Sequence, residues 1–248
     1  MTRAHPTIKG VLFDKDGTLI DYGRTWIPIN REVALFAAGG DPVVADRLLA
    51  IGGHDPETDR VTPGSELAGG SVAELADLFA AHLGADAPPH LETEIDRLFR
   101  EGGARHSVLL PGVIETLTVL RQRGLAIGLA TNDSVGGLTS SLADHGVLPL
   151  LDFSVGCDSG FGTKPEPGMV LAFCAAMGLT AAEVAVVGDS VHDLDMARRA
   201  GAGLAVGVLS GTGTRDDLGP VADVLLADVR ALLTLDAGVA VLGDGESV

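Results

Sequence analysis

Asp14 and Asp16 lie one residue apart in the run VLFDKDGTLI. If the apolar residues before Asp14 form an extended strand, alternation puts both carboxylates on the same side of the chain. Carboxylates that close repel, so one holds a proton or a cation binds between them. The pair could therefore supply a proton donor and acceptor, or half of a cation site. Gly17 begins the turn away, at the end of a strand where open parallel sheets bind their ligands.

Other residues of the same character stand at similar places. Thr131 closes the apolar run LAIGLAT, and Asp189 closes VAVVGD. Asp193 follows Asp189 by one helical turn in VVGDSVHDLDMA. Lys164 lies in GTKPEPG, where Pro165 or Pro167 would start a helix. Each alone reads as a strand ending in a polar turn; their joint occurrence, in this order, is much harder to assign to chance. Several neighbours take structural readings. Asp133 reads as the N-cap of a helix from Val135. Asp195 falls off the face of Asp193 and reads as solvated. His145 reads as a surface residue at a helix end, and Trp26 as a packing residue at a hinge, with a place in the cleft wall as the alternative.

The elements that must position these groups alternate in type. Apolar runs at Ile8–Asp14, Leu125–Thr131, Phe153–Gly156, Val184–Asp189, Gly203–Val208 and, more weakly, Ala222–Leu226 read as strands covered on both faces. Helical patterns near Gly112–Arg123, Val135–His145, Pro167–Met177 and Val191–Ala200 separate them, which predicts a doubly wound parallel α/β sheet. Between the first and second strands the rhythm breaks. Ile29–Ala38, Pro42–Ile51, Val72–Leu83 and Leu91–Arg100 have helical spacing, and the loops between them are rich in Gly, Pro and polar residues. The chain therefore divides into an α/β core, 1–21 and 110–248, and an inserted helical cap, 22–109. From Leu235 onward the sequence is Gly- and Ala-rich and is expected to fray.

Bulk properties narrow the class. The chain has 248 residues, 46% of them apolar and 4% aromatic, enough for a large core of Val/Leu strands and Ala/Leu helices. A formal charge of −17 repels nucleic acid and anionic membranes, so neither is expected as a partner. No apolar stretch reaches the roughly 18 residues a membrane span needs. The start, MTRAHPTIKG, lacks the apolar run of a signal peptide, so a cytoplasmic location is expected. Cys157 and Cys174 make no disulfide framework, and the seven histidines have no metal-ligand spacing.

The set DKDGT, ATN, KPEPG and GDSVHD resembles the four ordered motifs of the haloacid dehalogenase-like superfamily. The resemblance covers residues 8–20 and 110–230, and is nearest the phosphoglycolate phosphatase-like branch, whose helical cap lies between the first and second motifs. It implies a Mg²⁺-dependent phosphatase acting on a small phosphorylated metabolite, with phosphoglycolate as the default. In the dehalogenases the position of Asp16 is not acidic, so Asp16 points to phosphoryl transfer. Asp14 would be the nucleophile and become phosphorylated. Asp16 would be the general acid and then the base. Thr131 and the main-chain amide of Asn132 would bind the phosphoryl group, and Lys164 would neutralise it. Asp14, Asp189 and the main-chain carbonyl of Asp16 would hold Mg²⁺, with Asp193 as a further partner. Lys164 and the metal would supply the local positive field that a −17 chain otherwise lacks.

Substrate choice would lie in the cap, hinged near Asp21–Thr25 and Ser107–Gly112. Arg24, His54, Arg60 and His106 are its candidate contacts, since cations would suit a carboxylate or second phosphate on the leaving group. Two rival functions stand: a sugar-phosphate mutase of the same superfamily, and a non-enzymatic phospho-acceptor like a receiver domain, which is much shorter and needs no cap. Either a monomer or a homodimer is compatible with the sequence.

Overall fold

The computed structural model describes residues 7–235 and 241–242. In chain order the first elements are β1 (Thr7–Ile8), β2 (Gly10–Phe13), α1 (Tyr22–Ala37), α2 (Pro42–Ile51), β3 (His54–Asp55), β4 (Arg60–Val61) and α3 (Glu66–Gly69). Next come α4 (Val72–Leu83), α5 (Leu91–His106), α6 (Val113–Gln122), β5 (Ala126–Ala130), α7 (Val135–Leu142), β6 (Phe153–Val155) and α8 (Gly168–Met177). The last are β7 (Val184–Gly188), α9 (Val191–Ala200), β8 (Leu204–Val208), α10 (Arg215–Leu218), β9 (Val224–Leu226) and β10 (Val241–Leu242).

Six strands form one sheet in the order β6-β5-β2-β7-β8-β9, all parallel, with β2 in the middle. Both faces of β2 are sealed, which is why its sequence runs apolar without alternation. Val11 and Phe13 pack on one side with Ile127, Val187, Leu117 and Leu142. Leu12 points to the other, with Val186, Phe173 and Leu194. This is the doubly wound sheet the strand and helix rhythm predicts. A separate two-stranded pair, β1 with β10, lies outside it. The expectation of fraying from Leu235 falls mostly outside the described residues.

Residues 22–99 bury their own cluster, centred on Ile29, Val33, Leu48, Leu75, Phe79 and Ile95. Local signals fix the helix starts: Asp41 caps α2 with Pro42 in the first turn, and Ser71 and Glu74 close a capping box on α4. Three boundaries differ from the sequence reading. Helix α1 begins at Tyr22, before Pro28, because Tyr22, Trp26, Ile29, Asn30 and Val33 line one buried face whose packing outweighs the donor that proline removes. The stretch around Asp21–Thr25, where the cap is expected to hinge, is the first turn of that helix, capped by Asp21. Helix α5 continues to His106, since Gly102 and Gly103 let it pack close to Ile29 and Ser141. The polar loop after α2 holds the hairpin β3–β4 and the short helix α3. Two strands of two residues each are too short to show any period.

Candidate active site

Every core residue singled out above lies at one rim of the sheet. Asp14 follows β2, Thr131 follows β5 and Asp189 follows β7, each one position past the strand end. Asp193 sits in the first turn of α9, and Lys164 comes in on the loop between β6 and α8. The main-chain amide of Asp14 still donates to Val187, so the sheet ladder itself sets where its carboxylate projects.

Lys164 is buried, with Nζ 2.5 Å from Asp14 and 2.6 Å from Asp193. Burial opposes its charge, but Asp14 and Asp193 outweigh that and raise its pKa. Burial pushes Asp14 from the ordinary 3.8 up to about 7; Lys164 pulls the other way, while Asp193 and Asp16 add to the rise. Asp189 is likewise raised, first by burial and then by Asp14 and Asp193. Oxygens of Asp14, Asp189 and Asp193 all lie within 4.8 Å of one another. Three buried carboxylates sharing one lysine fit a hard divalent cation with oxygen ligands, such as Mg²⁺. Asp193 offers the site only one oxygen, because the other accepts from the amide and hydroxyl of Ser190 in a capping box.

Asp16 faces the carboxylate cluster from the turn. Its Oδ1 accepts from Trp26 Nε1 at 2.5 Å, and its Oδ2 lies 3.2 Å from Lys15 Nζ. Burial raises its pKa, against the pull of Lys15. Thr131 accepts from the amide of Asp133 at 3.1 Å, which leaves its own hydroxyl hydrogen free to donate into the cleft. The side chain of Asn132 is as important to position as its amide. It accepts from the Lys164 amide at 2.8 Å and donates to Gly69 of the cap at 2.8 Å, tying the lysine loop, the sheet rim and the cap together.

The structure revises several sequence readings. Asp133 is not the cap of α7; Ser134 is, accepting from Gly137. Asp133 instead takes the buried ammonium of Lys15 at 2.6 Å. Lys15 went unnoticed because a lysine between two aspartates reads as solvated, whereas here it is fully buried under Asp16, with Ser141 and the Trp26 ring also against it. Trp26 does line the cleft, and it holds Asp16. Thr212, also missed, binds Asp189 through its amide at 2.6 Å and its hydroxyl at 3.2 Å. The run SGTGT just after β8 was the available signal.

The four cap cations do not reach the cleft. Arg24, Arg60 and His106 are exposed, and His54 turns into the cap to meet Asp59 at 2.8 Å. None of the four is among the residues that line the cavity. They lie on helix ends and on the β3–β4 hairpin, whereas the cap presents to the cleft an apolar helix face that a sequence search for charge passes over.

A family model for haloacid dehalogenase-like hydrolases matches residues 8–201. The chain belongs to that family. It is 32% identical over 206 residues to a phosphoglycolate phosphatase from Cereibacter sphaeroides, covering 77% of this chain and 81% of the relative. It is 29% identical over 194 residues to the N-acetylmuramic acid 6-phosphate phosphatase of Pseudomonas putida, covering 78% and 80%. In fold it is similar to a predicted phosphoglycolate phosphatase from Haemophilus somnus, with a TM-score of 0.71 at 21% identity over 92% of this chain and 97% of the other. A β-phosphoglucomutase from Clostridium difficile shares the fold at a TM-score of 0.65 and 17% identity, over 91% and 93%.

Proposed function

We propose that this enzyme is a Mg²⁺-dependent phosphatase that hydrolyses a small phosphate monoester through a phosphorylated Asp14. The observation that carries the reading is the pairing of two carboxylates in different settings at one rim. Asp14 is fixed by Lys164 within the carboxylate cluster, and Asp16 is fixed separately by Trp26 and Lys15. Relatives named as phosphatases for two different small phosphate esters support the reaction class.

In this mechanism a phosphoryl group enters between Thr131, Lys164 and Asp14. A carboxylate oxygen of Asp14 attacks phosphorus as the bond to the leaving oxygen breaks. Asp16, whose pKa is raised by burial above its ordinary value, gives its proton to that oxygen. The alcohol departs. Asp16 then takes a proton from water, whose oxygen attacks the phosphorus and frees Asp14 and inorganic phosphate. Lys164 neutralises the equatorial oxygens throughout and holds Asp14 in line. Bound Mg²⁺, held by Asp14 and Asp189 with Asp193 and the Asp16 carbonyl alongside, would add further charge neutralisation at the phosphoryl group.

The deciding experiment is product stoichiometry. With Mg²⁺, phosphate release should equal substrate consumed, and Asp14→Asn should abolish it. A mutase would consume a hexose 1-phosphate, need a bisphosphate primer and release little phosphate. Isomer formation outpacing phosphate release, or near-normal turnover by Asp14→Asn or in excess chelator, overturns the reading.

A further inference from the structure

We infer that the leaving group this cleft accepts is an uncharged, hydroxyl-bearing alcohol rather than one that carries a carboxylate or second phosphate. The inference rests on the phosphatase reading above and concerns the far side of the same cleft. About 720 Å³ of non-atom space, including open solvent at its mouth, lies within that cleft. Opposite the phosphoryl end, the cap contributes Tyr22, Trp26, Asn30, Leu75 and Phe99 to its wall. No arginine, lysine or histidine of the cap lines it.

The cap's basic side chains are engaged elsewhere or point outward. Arg31 pairs with Asp59, Arg97 with Glu94 and Glu101, Arg100 with Asp96, and Arg105 with Glu32. On the core side, Lys164 is committed to Asp14 and Asp193. Lys15 lies beneath, committed to Asp133 and Asp16. His192 lines the cleft near Gly69, with its Nδ1 sealed from solvent and without a partner among the described residues. Against this, Asp14, Asp16, Asp133, Asp189, Asp193 and, near the mouth, Glu66 all face the cleft. A second anion on the substrate would lose its hydration beside aromatic rings and carboxylates, with no unpaired arginine or lysine lining the cleft to compensate.

An uncharged hydroxylated group finds what an anion lacks. Asn30 is 2% exposed, and its amide nitrogen donates to the Tyr22 hydroxyl at 3.4 Å. That hydroxyl in turn donates to the Leu67 carbonyl. The amide oxygen of Asn30 accepts no hydrogen bond among the described residues, so it suits an incoming hydroxyl. Trp26 and Phe99, edge to face at 5.5 Å between centroids, give the C–H face of a sugar or polyol an apolar surface.

Two matched pairs of esters test this with the full chain and Mg²⁺. One is 2-hydroxyethyl phosphate against 2-phosphoglycolate; the other is sorbitol 6-phosphate against 6-phosphogluconate. Within each pair a hydroxymethyl group replaces a carboxylate and nothing else changes. The uncharged member should have the higher kcat/KM by about tenfold or more in both pairs, or about 1.4 kcal/mol. Calorimetric binding to Asp14→Asn should rank each pair the same way without turnover. Asn30→Leu should shrink the preference in the sorbitol pair. Equal or better use of the carboxylate esters, in turnover and in binding, overturns the inference. If no ester is hydrolysed, p-nitrophenyl phosphate included, the phosphatase reading fails, and binding alone decides the leaving-group preference.

Discussion

Asp16 is held by two donors from different parts of the chain, Trp26 of the cap and Lys15 of its own turn. That grip matters because a general acid works only within hydrogen-bond reach of the oxygen it protonates. If Asp16 is that acid, Asp16→Ala should lower turnover of an alkyl phosphate by roughly 10²–10⁴-fold. The loss should be smaller on p-nitrophenyl phosphate, whose leaving group needs little protonation. Trp26→Phe keeps a ring against Phe99 but removes the N–H, so its loss should follow the same leaving-group pattern at smaller size. Equal losses on alkyl and aryl esters would mean that Asp16 only shapes the metal site. Lys15 shows how such a residue is stabilised: burial opposes its charge, yet Asp133 and Asp16 outweigh that and raise its pKa.

At the scale of elements, the site depends on how closely loops approach one another. Asp189 is gripped by the loop after β8, through Thr212, and that loop passes so close that only glycine fits beside the carboxylate. A Cβ on Gly211 would lie 1.9 Å from Asp189 Oδ2. Gly17 is constrained twice, by a φ of +86° and by the same carboxylate, 2.5 Å from where its Cβ would stand. Gly211→Ala must therefore shift either that loop or the carboxylate of a proposed metal ligand, without removing any charged group. The expected result is a Mg²⁺ requirement raised by about 10–100-fold, as for loss of groups that orient metal ligands. Activity measured over a magnesium titration checks it; an unchanged half-saturating concentration would argue against Asp189 as a ligand displaced by this change. The same scale explains the cap. Helix α1 carries Tyr22, Trp26 and Asn30 to the cleft on one face, which it can do only because it starts before Pro28.

For the whole molecule, the cluster of buried carboxylates links stability to pH and to metal. Asp14 has a folded pKa of about 7 against an ordinary 3.8, so its ionisation opposes folding. Its stabilising contribution is fully present below the unfolded value and is lost as pH rises through about 7. Asp189 shifts in the same direction. In chelator, the melting temperature should fall as pH is raised from about 5 to about 8. Saturating Mg²⁺ should reverse most of that loss, and should stabilise more at the higher pH, because the metal binds deprotonated carboxylates. A metal-induced rise in Tm that is equal at both pH values would argue against Asp14 as a ligand.

The parallel core was legible because strands buried on both faces need unbroken apolar runs, and three of the six runs ended in a residue fit for chemistry. Asp14, Thr131 and Asp189 were found that way, as was Lys164 from its place before a proline-marked turn. Helices α2 and α4 were legible to the residue, Pro42–Ile51 and Val72–Leu83, because Pro, Ser and Asp mark their starts. What the sequence left open depends on contacts between residues far apart in the chain. Lys15 and Asp133 are 118 positions apart, and neither reads as buried until the fold brings them together. The charged residues of the cap stood out in the sequence, yet they are paired with neighbours or exposed. Its cleft wall is instead the polar fringe of a hydrophobic helix face: Tyr22, Trp26 and Asn30. Periodicity can mark such a face as buried. Only the docking of cap on core decides which part of it meets another helix and which part meets a ligand.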